Sequence, residues 1–239
     1  INGNDVAGCG GANQSAVGVV DTTTKTLTIG AIPNNRTSHY TGVDGTIPDV
    51  MVLSVPPAPG DPPTPGTRPV LDPTLTSPSQ LQALVSSLQQ AAAPANVYPN
   101  AANPGTSQSD INIGSQSAPQ ITVVNGDLTM SGTTRGAGIL VVTGTLTMSG
   151  NSGFYGVVLV IGKGIFRANG GGNGQYDGSM LVANTLDSTG NVRSTLGPPL
   201  VDWGGGGGNG IHYNSCAINS AKNIFMGPFV RLATRELTY

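Results

Sequence analysis

The sequence predicts an all-β protein, a Gly-rich parallel β-helix (β-solenoid) with one amphipathic flanking helix and a Pro-rich extended arm. Three observations predict this fold: an 18-residue repeat with glycines in phase, a charged content of only 9%, and one apolar stripe with helical spacing. A typical soluble domain carries about 25% charged residues. Thr, Ser, Asn and Gly must therefore cover much of the surface, while 37% apolar residues can fill a long, narrow core. We take residues 1–239 as one solenoid domain.

The N-terminal segment, residues 1–54, is predicted to form short strands and turns. Its strand candidates are the apolar runs Ala16–Val20 and Asp49–Val55 and the alternating segment Lys25–Ile29. The following residues 55–76 are rich in proline. They predict an extended, polyproline-like arm, with a flexible linker as the alternative.

A flanking helix is predicted over residues 77–93. Ser77 suits the N-cap and Pro78 the first helical position. The apolar stripe has i, i+3, i+4, i+7 spacing and consists of Leu81, Leu84, Val85 and Leu88. Pro94 ends this helix, and residues 95–117 are predicted to be loop.

The core of the solenoid is predicted over residues 118–190, where the sequence repeats. Val123–Gly132 recurs as Val141–Gly150 with changes at only two positions. The 18-residue offset brings Gly126, Gly144 and Gly162 into phase, and likewise Gly138 and Gly156, with Gly178 following after 22 residues. Met130 is expected to stack on Met148. The alternative is an antiparallel meander with an accidental repeat.

The length of the repeat favours the solenoid. A period near 20 residues is too short for a helix pair or a propeller blade, but it suits one coil of short strands. The glycines would supply corners that need positive φ or close backbone approach. The apolar runs Gly138–Val142 and Val157–Ile161 suit strands that are covered on both sides. After the repeat we expect loops over residues 191–210, a short helix within 211–225, and a final strand or tail over 229–239.

Part of the chain resembles a known family. Gly138–Asn184 contains a Gly–aliphatic run, a Gly-Thr-Leu-Thr-Met-Ser-Gly segment, a second aliphatic run and a Gly/Asn-rich insert. This block resembles the extracytoplasmic part of PilX-like proteins associated with type IV pilus assembly, and the opening Ile1–Asp5 and the closing Val230–Leu237 are also similar. The resemblance covers about half the chain and implies a pilus-associated role outside the cytoplasm. The repeat also distantly resembles bactofilins, which polymerise through stacked β-helices.

Members of the PilX-like group carry an N-terminal hydrophobic anchor helix, which this sequence does not show. The chain begins at Ile1 rather than Met. We therefore expect that a leader or anchor has been removed, or that the chain is a fragment of a longer precursor.

Composition argues against several classes of function. A net charge of −2 without a basic run argues against a nucleic-acid binder. No run of 18 apolar residues occurs that would predict a membrane span. Cys9 and Cys216 are expected to form a disulfide in an extracellular or cell-surface protein, with two free thiols as the alternative. Two cysteines and the separated His39 and His212 do not make a zinc site.

An enzymatic solenoid that cleaves polysaccharide would need clustered carboxylates, often with a basic partner. The candidates are Asp127, Asp177, Asp187, Asp202, Arg135, Arg167 and Arg193. The repeat places Thr145 and Lys163 in phase with Asp127, so no ladder of carboxylates forms. We expect isolated, solvated charges and no catalytic site.

Other chemical motifs are incomplete. Gly150–Gly153 lacks the spacing of a serine nucleophile elbow, and Gly204–Gly208 is followed by Asn209 rather than by the Lys of a phosphate-binding loop. Gly171–Asp177 is similar to a calcium-binding glycine repeat, but its Asp comes one position late and no second copy follows. We predict no metal ion and no cofactor.

The leading functional expectation is self-assembly. A solenoid has two ends of unpaired strands that must be capped or stacked, and the low charge provides little repulsion against stacking. We expect a filament or surface polymer, with the Pro-rich arm as a strap between subunits. The alternatives are a monomeric pilus-associated or adhesive binding module and, third, a carbohydrate-active β-helix enzyme. For the self-assembling protein, the expected partners are other copies of itself and other pilus or cell-surface components.

Overall fold

The computed structural model describes residues 1–5, 7–43, 45–53, 73–169, 172–203 and 210–233, and its core is the predicted parallel β-solenoid. In chain order the strands are β1 (Val17–Val19), β2 (Val50–Val52), β3 (Val97–Tyr98), β4 (Ser107–Ser109), β5 (Gln120–Val124), β6 (Asp127–Met130), β7 (Arg135–Val142), β8 (Thr145–Ser149), β9 (Gly153–Gly162), β10 (Ile165–Asn169), β11 (Gln175–Leu186), β12 (Val192–Gly197), β13 (Leu200–Trp203) and β14 (Gly210–Tyr213). The helices are α1 (Thr22–Ala31), α2 (Pro78–Ala91) and α3 (Ser215–Ala233).

The coils have three faces. Face A is the parallel sheet β4-β6-β8-β10-β13. The second sheet contains β7, β9 and β11, which are 8, 10 and 12 residues long. An eight-residue strand spans about 26 Å and the four-residue β6 only about 13 Å, so the long strands must bend for the coil to close. They bend at Gly138, Gly156 and Gly178, whose φ values are 117°, 142° and 143°.

The bend divides the long strands into two parts. The parts before the glycines, residues 135–137, 153–155 and 175–177, form face B together with β14. The parts after the glycines form face C together with β3 and β5. At its last rung, face C ends in β12, which pairs antiparallel with β11.

The residue pairs predicted from the repeat are the partners observed on adjacent strands of the sheets. Met130 pairs with Met148 on face A, and Gly138, Gly156 and Gly178 are successive partners at the bend. Inside the coils the apolar side chains form one continuous core. It contains Tyr98, Ile111, Ile113, Val124, Leu128, Met130, Leu140, Val142, Leu146, Met148, Phe154, Val158, Val160, Phe166, Ala168 and Tyr176.

Face C is covered on its outer side by α2 and α3. Ile139 and Val141 point outward into a second apolar cluster with Leu81, Val85 and Leu88 of α2. The neighbouring residues of the same strand point into the coil, so the apolar runs of β7 and β9 are buried on both sides, as predicted.

The flanking helix agrees with its sequence signals. The Ser77 side chain caps α2 by accepting a hydrogen bond from the Gln80 backbone N–H, and Pro78 opens the first turn. The helix ends at Ala91, before Pro94. Beyond the one helix predicted to flank the solenoid, α3 also packs on face C through Ala221 and Ile224.

The N-terminal segment forms a small lobe outside the coils. β1 and β2 pair in parallel around a core of Val19, Ile32 and Val50. The strand predicted at Lys25–Ile29 is wrong, because these residues lie within α1. Its N-cap is Asp21, whose Oδ1 accepts from the Thr24 backbone N–H at 2.6 Å. The alternating pattern predicts a strand only if its apolar side chains are buried, and no side chain of α1 is buried. The Asp21 cap therefore decides the local structure in favour of a helix.

Three loop or strand predictions are also corrected. The predicted loop 95–117 contains β3 and β4, and the predicted loop 191–210 contains β12 and β13, so both supply strands to the end coils. Within the predicted helix 211–225, the first residues belong to β14 and α3 begins at Ser215. The predicted final strand over 229–239 is wrong for residues 229–233, which continue α3. Most of the Pro-rich arm, residues 55–72, and the tail 234–239 lie outside the described residues.

Candidate functional site

The two ends of the solenoid differ in character. At the N-terminal end, Gln108 of β4 points into the coil and is only 5% exposed. Its Nε2 donates to the carbonyl oxygens of Asn103, at 3.3 Å, and Gly105. The loop that precedes β4 therefore closes this end of the core with a satisfied polar group.

The C-terminal end is open and apolar. Val201 continues the interior column of Phe166 on the last strand of face A, yet 51% of it is exposed. Leu200 beside it is 45% exposed, and Val192 on β12 is 49% exposed. These three are the exposed large apolar residues within the described part of the coils. Among the described strands, β12 and β13 are also the last in their sheets.

Face B continues further than the other two faces at this end. The Asn2 backbone N–H donates to the Ile211 carbonyl oxygen, and the Tyr213 N–H donates to that of Asn2, both at 2.8 Å. Thr41 pairs on the other side of Asn2. The N-terminal lobe is thus attached at the C-terminal end of the solenoid through β14 of face B.

A covalent clamp holds this attachment. Cys9 and Cys216 form a disulfide between the lobe and the first turn of α3, which confirms the predicted pairing. The Asp5 carboxylate accepts from the Ser215 backbone N–H at 3.0 Å and from its hydroxyl at 2.6 Å. A carboxylate at a helix N-terminus is favourable because it satisfies free N–H groups and complements the helix dipole.

Acidification is expected to loosen the lobe. The hydrogen bonds from the Ser215 side chain and backbone hold the pKa of Asp5 below its ordinary value of 3.8. A lowered pKa stabilises the folded state above the unfolded-state pKa, and this stabilisation is lost as the pH falls through the folded-state pKa. The protection factors of residues 2–5, which are corrected for the intrinsic pH dependence of amide exchange, should therefore fall below about pH 3.8 in the native chain. Asp5→Asn should exchange faster at neutral pH and lack this acid step; an unchanged acid step would contradict the prediction.

The predicted charged candidates are distributed over separate places. Lys163 Nζ lies 3.2 Å from Asp127 Oδ1, which also accepts from the Thr145 backbone N–H at 2.7 Å. Partial burial alone would raise the pKa of Asp127, but these two hydrogen bonds outweigh burial and lower it. Lys163 occupies the repeat position equivalent to Asp127, two coils further on. The two side chains therefore form an ion pair instead of a ladder of carboxylates.

The remaining candidates at the C-terminal coils act mostly in turns. Asp187 Oδ1 accepts from the backbone N–H groups of Thr189 and Asn191 and shapes the turn between β11 and β12. Arg193 donates from Nε to the Leu186 carbonyl oxygen at 2.9 Å. Arg167 and Asp202 are register partners on adjacent strands of face A.

Face B brings two of the predicted charged candidates, Arg135 and Asp177, together with His212, for which no functional role was predicted. Arg135, Asp177 and His212 lie on β7, β11 and β14, and two residues that sequence reasoning missed, Tyr155 and Gln175, complete the group. A partial signal for Tyr155 was present, because Gly178 is the counterpart of Gly156 in the longer fourth copy of the repeat, and the residues before the two glycines are register partners.

The other motif residues have structural positions. The N-terminal ammonium donates to the His39 carbonyl oxygen at 2.7 Å. Ser152 is 2% exposed and lines a cavity of about 20 Å³ with Met148 and Tyr176, which is room for about one water molecule. Part of the calcium-like segment lies outside the described residues; within them, no group of three or more His, Cys, Asp or Glu could hold a metal ion.

No protein-family model, no curated protein and no solved structure matches this chain. Within the described ranges, no helix combines the length and the apolar character needed to cross a membrane. The functional proposal below is therefore based on the fold and the contacts described above.

Proposed function

We propose that this chain is a structural protein of the cell surface that joins a second copy of itself end to end, through the open C-terminal end of its solenoid. The observation that carries the proposal is the contrast between the two ends. Gln108 closes the N-terminal end, whereas Val192, Leu200 and Val201 expose apolar surface on the last strands of the other end. Unpaired edges with exposed apolar side chains are sites at which another chain adds.

The contrast favours a tail-to-tail pair. A two-fold contact places the same patch of each copy against its counterpart, so apolar surface meets apolar surface. In that arrangement the two β13 strands would pair antiparallel. A head-to-tail filament would instead place Val201 against the loop that covers Gln108. A larger, pilus-like surface assembly would require a second contact between such pairs.

The disulfide supports the proposed location at the cell surface, and the resemblance to PilX-like proteins supports the proposed partners. Disulfides persist in oxidising compartments, so the Cys9–Cys216 bond supports a protein outside the cytoplasm. The similarity of Gly138–Asn184 to PilX-like proteins supports other pilus or cell-surface components as further partners. A non-enzymatic role is part of this proposal.

The test compares one lysine at each end of face A. In light scattering coupled to gel filtration, the native chain should dimerise as its concentration rises. Leu200→Lys should weaken the dimer by about 30-fold, because replacing an exposed apolar side chain of the β13 edge by a charge at the contact costs about 2 kcal/mol. Ser109→Lys, on the opposite edge strand, is the matched control and should dimerise normally.

The alternatives give different results. If both lysine variants abolish association and the native chain forms filaments in negative-stain electron microscopy, the contact is head-to-tail and the two-fold pair is excluded. A native chain that remains monomeric at every concentration contradicts self-association and favours a monomeric pilus-associated or adhesive module.

A further inference from the structure

The outer surface of face B carries a compact group of planar polar side chains. Arg135, Tyr155, Gln175, Asp177 and His212 project from four neighbouring strands, β7, β9, β11 and β14. Neighbouring strands are about 4.8 Å apart, so the group extends about 14 Å along the solenoid axis. Arg135 and Gln175 are exposed and the other three are half-buried, so all five reach the surface.

Hydrogen bonds fix the orientation of the central three. Gln175 Nε2 donates to Asp177 Oδ1 at 2.9 Å and lies 3.1 Å from His212 Nδ1. The same His212 Nδ1 lies 3.7 Å from Asp177 Oδ1, so the three side chains contact one another. Asp177 Oδ2 and Gln175 Oε1 take no part in these contacts and can accept hydrogen bonds from a ligand.

Two glycines keep this surface shallow. Arg135 Nη1 lies 3.1 Å from the position that a Cβ at Gly153 would take, so the guanidinium lies over that residue. In the same way, His212 Nε2 lies 2.7 Å from the position of a Cβ at Gly210. Larger residues at these positions would lift both side chains away from the sheet.

The group combines opposite charges, neutral hydrogen-bonding groups and one aromatic ring. It offers donors from Arg135 and His212, acceptors from Asp177 and Gln175, and the ring and hydroxyl of Tyr155. One arginine and one aspartate balance in charge, so the group lacks the excess of basic side chains that holds phosphates or nucleic acid. A ligand that suits it is neutral, has many hydroxyl groups, and presents an apolar C–H surface to an aromatic ring.

We propose that face B binds a neutral oligosaccharide that lies along the solenoid axis across β7, β9, β11 and β14. Tyr155 contacts the apolar face of one sugar ring, and Asp177, Gln175 and His212 hydrogen-bond the hydroxyls of the next. Arg135, on the other side of Tyr155 from these three residues, contacts the sugar that precedes the stacked ring. This site is independent of the proposed end-to-end contact, which uses faces A and C.

The test uses the full chain and three soluble probes: cellohexaose, chitohexaose and mannohexaose, each at up to millimolar concentration. Isothermal titration calorimetry measures affinity, and amide chemical shifts in NMR spectra locate the site. We expect at least one probe to bind and to shift amides of residues 153–155, 175–177 and 210–213. Comparing the acetylated chitohexaose with the other two distinguishes recognition of acetamido groups from recognition of hydroxyls alone.

Variants then assign the side chains. Asp177→Asn keeps the shape but removes the charged acceptor, and Tyr155→Ala removes the ring; each should weaken binding about tenfold. Tyr155→Phe keeps the ring and should retain more affinity than Tyr155→Ala. Arg167→Gln, an exposed arginine on face A, is the matched control and should bind normally.

Two results would overturn the site. One is that none of the three probes binds by either method. The other is that binding occurs but is unaffected by both Asp177→Asn and Tyr155→Ala. Leu200→Lys should leave saccharide binding unchanged, so failure of end-to-end association and failure of this site are distinguishable.

Discussion

Gly156→Ala is expected to cost the protein a large part of its stability, about 2–6 kcal/mol. Gly156 has φ 142°, a conformation that side-chain-bearing residues rarely adopt, and this strain contributes about 1–3 kcal/mol. A Cβ there would also run into the carbonyl oxygen of Gly138 on the neighbouring coil. Forcing a methyl group into packed backbone costs a further 1–3 kcal/mol or so. Because domains are stable by only about 5–15 kcal/mol, this loss is a large fraction of the total.

Urea unfolding followed by circular dichroism measures this loss, and Gly132→Ala is its control. Gly132 also has positive φ, at 60°, but a Cβ there would meet nothing within 4 Å. Its variant should show only the backbone strain of about 1–2 kcal/mol. If both variants lose the same free energy, the close approach between coils at Gly156 contributes nothing and the prediction is wrong.

The central coils could be read from the sequence because each position there has a counterpart in the next coil. Stacked parallel strands place identical or similar residues on one another, so Met130 on Met148 follows directly from the 18-residue offset. The flanking helix could also be predicted, because the Ser77 cap, Pro78 and the apolar stripe are local signals.

The end coils were missed for the opposite reason. β3 and β4 have two and three residues, and their neighbours come from coils with a different loop length, so no repeat reveals them. β12 runs antiparallel and β14 follows a glycine run, which hides both from a search for repeats. The exposed apolar surface at Leu200 and Val201 depends on which strand is last, and composition does not contain that information.

The proposed saccharide site shows a related limit. Tyr155 and Asp177 are 22 residues apart, whereas most of the repeat has an offset of 18, and His212 enters only through the final strand β14. A search for carboxylate clusters finds isolated charges here. The group becomes visible only when the coils are stacked and the neutral side chains between the charges are counted.

Removing the Cys9–Cys216 crosslink is expected to lower the free energy of unfolding by about 5 kcal/mol. The two cysteines are 207 positions apart, and the chain-entropy cost that a crosslink removes from folding rises with the logarithm of the loop length. Without the disulfide, the lobe would be held to the coils by noncovalent contacts. Those described include the hydrogen bonds of Asn2 with β14 and of Asp5 with Ser215.

The Cys9→Ser, Cys216→Ser double variant measures this effect by urea unfolding, in buffer with and without reductant. Reductant should destabilise the native chain to the level of the variant and leave the variant unchanged. Hydrogen exchange should locate the first loss of protection in residues 1–5 and at the start of α3. A double variant that unfolds at the native urea concentration would mean that the disulfide does not constrain the unfolded chain, and that the noncovalent contacts alone hold the lobe beside the open end of the solenoid.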